Sequence, residues 1–316
     1  MWRSLVARFV RDEEAVGSNP ATPTPGRGLI NWSAPGQAPT NERPTMRAHP
    51  SGGPHMKVPD RRPDRAEFGP VTANYVKAMG WRSVNAHTHI SLVNRYAYVE
   101  VPKAGCGTMK ATLGGLEAAR LGPKFIERVQ AAPHDRTKMT PFVKPFQLPP
   151  EQLEEVFTST NFKRFAVVRD PAARLLSGYL EKIRQGLQQS VPIFEILSAQ
   201  GRAPESAADI SFADFIEVIG AQTSRDQDPH WRRQVDHLGL PEMKYDALIH
   251  LEQLGDSWHQ IGELINVPEV QEQFYCRNST QAGVHLAENY TPELLARVTE
   301  IYAGDYAAFG YPAPSK

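Results

Sequence analysis

The chain has 316 residues, 41% of them hydrophobic, enough for one large domain or two small ones. Its 35 basic and 35 acidic side chains cancel, so no net field draws it toward nucleic acid or an anionic membrane, and basic residues matter where they cluster. Two cysteines, Cys106 and Cys276, exclude a disulfide-stapled secreted scaffold, and no run approaches the ~20 apolar residues of a transmembrane helix.

From Val16 to Pro70 the chain is rich in Pro, Gly, Ser, Thr, Asn and Arg and lacks helical or strand periodicity. Such a stretch cannot bury enough apolar surface to offset the entropy of ordering it. Glu13–Thr24 also resembles a read-through translation of a structural RNA gene, which puts the expected start downstream, at Met46 or Met56. Residues 1–73 are therefore read as a disordered or wrongly assigned tail, and residues 74–316 as the folded domain. The sequons at Asn31, Asn278 and Asn289 are read as chance, since the first residues hold no convincing export signal.

Tyr96–Val101 reads as a strand, short, aromatic and β-branched. A glycine-rich turn follows, and then Thr108–Arg120 as a helix stopped by Leu121-Gly122-Pro123. Gln152–Phe157 reads as a helix, and Phe165–Val168 as a buried parallel strand. Asp170-Pro171 opens the next helix, Asp suiting the N-cap and Pro the first helical position. Phe212–Ile219, Trp258–Ile265 and Pro292–Tyr302 read as helices and Tyr245–Leu251 as a strand. The alternation predicts an α/β fold of three layers, P-loop-like, with a central parallel sheet flanked by helices.

Two segments carry chemistry. In the first, a strand feeds Pro102-Lys-Ala-Gly-Cys-Gly-Thr108 and then a helix. Loop amides and a helix N-terminus together face an anion. A nucleoside-triphosphate loop places Lys after its second glycine. Here Lys103 precedes both glycines, and Thr108 follows the second. The other segment is Phe162–Leu180, in which a strand delivers Arg169 at its C-terminal end and the following helix carries Ser177. Arg offers a fork to phosphate, and Ser a neutral donor. Ligands of open α/β sheets bind at the strands' carboxyl ends, so the two segments are expected to face one ligand with two separated anionic groups.

This pair resembles the cofactor motifs of the sulfotransferases that use 3′-phosphoadenosine 5′-phosphosulfate (PAPS). The Pro102-Lys-x-x-Cys-x-x-x-Lys110 form of the first segment is similar to the carbohydrate sulfotransferases of the chondroitin and dermatan group. So are Val168-Arg-Asp-Pro-x-x-Arg-Leu-x-Ser-x-Tyr179, Asp228-Pro-His-Trp-Arg-Arg-Gln234, Tyr245–Glu252 and Tyr302–Tyr311. The resemblance implies an enzyme that transfers a sulfuryl group from PAPS to a hydroxyl acceptor, a carbohydrate, without a metal. It implies that Pro102, Lys103, Ala104, Gly105, Cys106, Gly107 and Thr108 form the 5′-phosphosulfate loop, with Lys103 on the bridging oxygen. Arg169 and Ser177 are implied for the 3′-phosphate. For the acceptor's proton, the candidate bases are His134, between the two motifs, and His230, in the His-Trp segment. An acidic residue or no base at all remains open.

The competing readings are a P-loop nucleotide-dependent kinase, against which the misplaced Lys weighs, and a non-catalytic nucleotide- or sugar-binding protein of the same fold, against which the intact Lys103 and Arg169 weigh. Residue by residue, Arg174 is read as a helix-start ion pair with Asp170, four residues back. Lys110 is read as solvated, Cys106 as a small buried residue, Glu252 as structural and Trp231 as core. Asn85–Ile90 holds a His-x-His, as at the start of a barrel amidohydrolase metal site, but the repeated strand–helix units of a barrel are missing. It is read as a loop leading into the first strand. Relatives of the family carry a membrane anchor and a cysteine pair after the His-Trp segment. Here that segment, Val235–Lys244, has no Cys and no anchor is visible, so the expected setting is reducing and cytoplasmic.

Overall fold

The computed structural model describes residues 67–134, 140–202, 204–268, 270 and 286–314. The expectations for residues 1–66 and for Cys276 and Asn278 lie outside them. The first helix, α1 (Pro70–Met79), begins four residues before the expected boundary at 74. Pro70 supplies the helical start, and Tyr75, Val76 and Met79 give α1 a buried face. A short helix α2 (Trp81–His87) follows, then strand β1 (Thr88–Ser91). The reading of Asn85–Ile90 as a loop is thus corrected: it ends a helix and starts an edge strand.

The other strands are β2 (Tyr96–Val99), β3 (Lys163–Val168) and β4 (Ala247–His250), in spatial order β1-β2-β3-β4. Pairing is parallel between β2 and β3, with Tyr98 opposite Phe165, and between β3 and β4, with Val168 opposite His250. β1 pairs antiparallel with β2, so the sheet is mostly rather than wholly parallel. β1 was invisible because its Thr88, His89 and Ser91 are polar yet buried, the reverse of the pattern that marks a strand. Its outer edge is closed by a two-way backbone pairing of Ile90 with Val143.

The two faces of the sheet sort by residue parity. Ala97, Val99, Ala166 and Val168 pack with Tyr75, Val76, Leu153 and Phe157, the last two from α5 (Pro150–Thr158). Tyr96, Tyr98, Phe165, Val167 and Ile249 pack on the other face. Their partners include Met109 and Leu113 of α3 (Cys106–Ala118) and Trp258 and Ile261 of α10 (Trp258–Leu264). Helices on both faces make three layers. Gly114 of α3 lets α4 (Pro123–Ala131) approach, since a Cβ there would sit 2.5 Å from Val129 Cγ1.

A third apolar cluster gathers α6 (Pro171–Gly178), α7 (Val191–Ala199), α8 (Phe212–Ala221), α12 (Pro292–Ile301) and α13 (Ala303–Phe309) around Trp231. α9 (Gln234–His237) and α11 (Leu286–Asn289) are single turns. α6 starts as its Asp-Pro signal implies: the Asp170 carboxylate accepts the Ala173 N–H at 2.8 Å. It runs on into a π-helical turn over Tyr179–Ile183, where the Arg184 N–H bonds the Tyr179 carbonyl five residues back. Among the described residues, no helix is long and apolar enough to cross a membrane.

Candidate active site

The loop between β2 and α3 doubles back sharply. Ala104 N–H donates to Val101 O at 3.1 Å, and both Lys103 and Gly105 lie in the left-handed region at φ 71°. For Gly105 that conformation carries no steric penalty, and a Cβ there would sit 2.6 Å from Leu251 Cδ1. For Lys103 it is strain of about 1–2 kcal/mol that the surroundings must hold. The turn aims the chain so that α3 begins directly, with the Gly105 carbonyl accepting the Met109 N–H. The first-turn amides, those of Cys106 and Gly107 among them, have no intrahelical acceptor in any α-helix and form its positive end.

Lys103 is nearly enclosed, its side chain 8% exposed, and its ammonium is bonded to Glu181 on the π turn. The other Glu181 oxygen takes Lys182 Nζ at 2.7 Å. Burial lowers the Lys103 pKa, while the Glu181 bond and charge oppose that. Burial works against ionised Glu181 as well, yet hydrogen bonds from Lys103 and Lys182 bring it down to about 2.

Arg169 closes the loop from β3. One guanidinium nitrogen donates to the Lys103 carbonyl at 3.1 Å. Its backbone is clamped by the Gln234 amide, which accepts from Arg169 N–H at 3.0 Å and donates to Arg169 O at 2.8 Å. Gln234 is held in turn by the buried Asp305 carboxylate, which accepts the backbone N–H groups of Gln234 and Val235. Glu252 accepts the Asp170 N–H and the Tyr311 hydroxyl, a structural role as read. Ser177 is fully buried on α6, and Thr108 and Ala104 are buried at the loop.

Arg174 corrects its reading. It does not pair with Asp170; the residue is 1% exposed and its guanidinium donates to three carbonyls: Pro102 O at 2.9 Å, Arg232 O at 2.8 Å and Pro229 O at 2.8 Å. One side chain thereby ties the Lys103 loop to the segment that carries His230. In that segment the Asp228 carboxylate accepts both the His230 backbone N–H, at 2.9 Å, and its ring Nδ1, at 2.6 Å. Burial disfavours ionised Asp228, but the His230 contacts outweigh it and its pKa is lowered. Trp231 is core, 2% exposed.

His134 belongs to a second cluster. Its Nδ1 lies 2.7 Å from Lys110 Nζ, and Lys110 pairs with buried Glu100 at 2.9 Å. Lys110 is 4% exposed, so its reading as solvated is corrected. Glu100 also takes His89 Nε2 at 2.8 Å, and His89 Nδ1 faces Lys144 Nζ at 3.1 Å. Cys106 is half-buried rather than buried as read, and desolvation pushes its thiol up to about 12. Glu100, Cys106 and His134 bring one ligand atom each within 4.8 Å of one another. The Lys110 ammonium occupies two of the three and the thiol resists ionisation, so the trio is a charge network rather than a cation cage.

Glu181, Gln234 and Glu100 escaped the sequence reading, since each is an ordinary polar residue until the fold brings it to Lys103, Arg169 or Lys110. Asp228 escaped it too, although its place two residues before His230 is a signal that could have found it.

A profile of the sulfotransferase family matches residues 86–312, a span that includes all four strands and both chemistry-bearing segments. Carbohydrate sulfotransferase 14 of Mus musculus is 27% identical over 247 residues, covering 74% of this chain and 62% of that protein. Its Homo sapiens counterpart is 26% identical over 248 residues, with the same coverages, and carbohydrate sulfotransferase 12 of Xenopus laevis is 23% identical over 270 residues, covering 72% and 60%. The chain thus spans about three fifths of the length of these curated relatives. No solved structure matches it. A match of that extent over the strand–loop–helix and the Arg169 strand means that this chain belongs to the sulfotransferase family.

Proposed function

We propose that the domain from residue 74 onward transfers a sulfuryl group from PAPS to a hydroxyl of a carbohydrate, by a P-loop-like site and without a metal. The observation that carries this is the left-handed Lys103, its ammonium enclosed and its carbonyl bonded to Arg169. A lysine ahead of the glycines, with a separate guanidinium delivered from β3, suits a 3′,5′-bisphosphorylated nucleotide better than a triphosphate, whose loop carries its Lys after them. The names of the relatives support the carbohydrate class of acceptor.

In this reading the loop Pro102–Thr108 holds the 5′-phosphosulfate, with the N–H groups of Cys106 and Gly107 at the α3 terminus as its donors. Arg169 holds the 3′-phosphate; Ser177, expected beside it, is fully buried on α6 and offers no surface to a ligand in this conformation. The acceptor oxygen bonds to sulfur while the bond from sulfur to the bridging oxygen breaks. The electron pair goes to that oxygen, and Lys103 neutralises it. Catalysis is positioning and charge stabilisation.

The hydrogen bonds favour His230 over His134 as proton acceptor. Nδ1–H of His230 donates to Asp228, the tautomer that makes Nε2 the accepting nitrogen. His134 Nδ1 instead accepts from the Lys110 ammonium, which also pairs with Glu100. That leaves its proton on Nε2.

Thermal unfolding with 3′-phosphoadenosine 5′-phosphate (PAP) and with ATP–magnesium tests the reading. PAP at 100 times its Kd adds about 2.7 kcal/mol of stability, a clear rise in Tm. A rise with ATP–magnesium and none with PAP refutes it in favour of a kinase.

A further inference from the structure

Glu181 has no part in the reading above, yet it is the residue bonded to the Lys103 ammonium. We infer that Glu181 is the positioning residue for Lys103: from the π turn after α6 it aims the ammonium across the donor loop and keeps it charged. The inference rests on the sulfuryl-transfer reading for what Lys103 then does.

Three observations support it. The pair spans 78 residues of sequence and joins the loop to a separate helix, so it is a product of the tertiary fold and not a local surface contact. The exposures are unequal: Lys103 is 8% exposed and Glu181 37%, which puts the carboxylate on the solvent side of the ammonium, where it restrains Lys103 without burying itself. The π turn is the local device. An i→i+5 bond inserts a residue into the helix and turns the following side chains, here Glu181 and Lys182.

The charges facing Lys103 are few. Glu181 holds its proton on, Lys182 opposes that from the same turn, and the Cys106 thiol faces it from the start of α3. Burial alone would push Lys103 toward the neutral amine. A neutral amine cannot stabilise the oxygen that leaves sulfur. Glu181 thus opposes the burial that favours the neutral amine.

The test is competitive acetylation of the intact chain with acetic anhydride between pH 7 and 11, followed by mass spectrometry of the Lys103 peptide. It needs neither acceptor nor turnover. Glu181→Gln keeps the shape and removes the charge, and the midpoint of Lys103 reactivity is expected to fall by about one pH unit or more, as for loss of an opposite charge in contact. Glu181→Asp, which keeps the charge on a shorter arm, is expected to fall between the two. PAP is expected to slow acetylation of Lys103 at least tenfold in the wild type. A Glu181→Gln midpoint within 0.3 pH unit of wild type, roughly the width of a weak surface effect, overturns the inference even where PAP protects. Absence of PAP protection with the midpoint shifted overturns the donor-site reading and the role given to Lys103 in it.

Discussion

Arg174 lends itself to a sharp prediction because two readings of it differ tenfold in energy. As a helix-start ion pair with Asp170 it would contribute about 0.2–0.5 kcal/mol. The structure instead gives it three buried carbonyl acceptors at 2.8–2.9 Å and 1% exposure. Arg174→Met fills most of the space and leaves Pro102 O, Pro229 O and Arg232 O without their donor. Each stranded buried acceptor costs about 1–3 kcal/mol. Water entering the space recovers part, so the expected loss is ~3–6 kcal/mol, a large share of the ~5–15 kcal/mol that a domain holds. With a urea m-value near ~3 kcal/mol/M, the midpoint falls by about 1–2 M at unchanged m. Arg174→Lys keeps the charge but cannot present a planar fork to three acceptors. It is expected to lie between the two. PAP binding is expected to weaken in both, since Pro102 and Pro229 are neighbours of Lys103 and His230. A midpoint for Arg174→Met within ~0.3 M of wild type, equivalent to about 1 kcal/mol, would refute the three-carbonyl account.

Two further outcomes separate the roles within and behind the site. Lys103→Ala is expected to lower turnover of PAPS far more than PAP affinity, because its contact strengthens only as the bridging oxygen gains charge. Arg169→Ala is expected chiefly to weaken PAP binding, and equal losses of affinity in calorimetry would contradict the division. The second concerns acid stability. Burial and the Lys144 charge hold His89 at about 3 rather than 6.5, so the folded state refuses a proton that the unfolded chain accepts. Stability is therefore full above pH 6.5 and declines as the pH falls toward 3. Glu100, held well below the carboxylate range against the cost of burial by Lys110 and His89, adds a loss of the same sign at lower pH. His89→Gln can still donate to Glu100 but cannot titrate. Its stability–pH curve between pH 6 and 5 is expected to be flatter by up to ~1.4 kcal/mol per unit; urea midpoints that track wild type across that interval would count against it.

Much of the site was legible because its parts are local. The turn after β2, the Asp170-Pro171 helix start and Arg169 at the end of β3 each lie within a few residues, where spacing and backbone chemistry suffice. Two strands on the sheet axis, β2 and β3, read clearly because their residues are apolar on both faces. β1 did not, because its buried residues are polar and are made tolerable only by Glu100 and Lys144 from elsewhere.

The amino-acid sequence by itself determined the α/β layering, the strand–glycine turn–helix with Lys103 ahead of its glycines, and the family resemblance. Only the tertiary structure decided which charges meet. Arg174 and Asp170 sit at helical spacing, yet the guanidinium turns inward to carbonyls 55, 58 and 72 residues away. Lys110 is buried against Glu100 rather than solvated, and Lys103 is bonded to a carboxylate that a helical pattern reads as surface. The reason is physical. A burial pattern records which side chains leave water, but a buried charge goes to whichever partner the packed chain brings within hydrogen-bond reach, and that partner has no fixed distance in sequence.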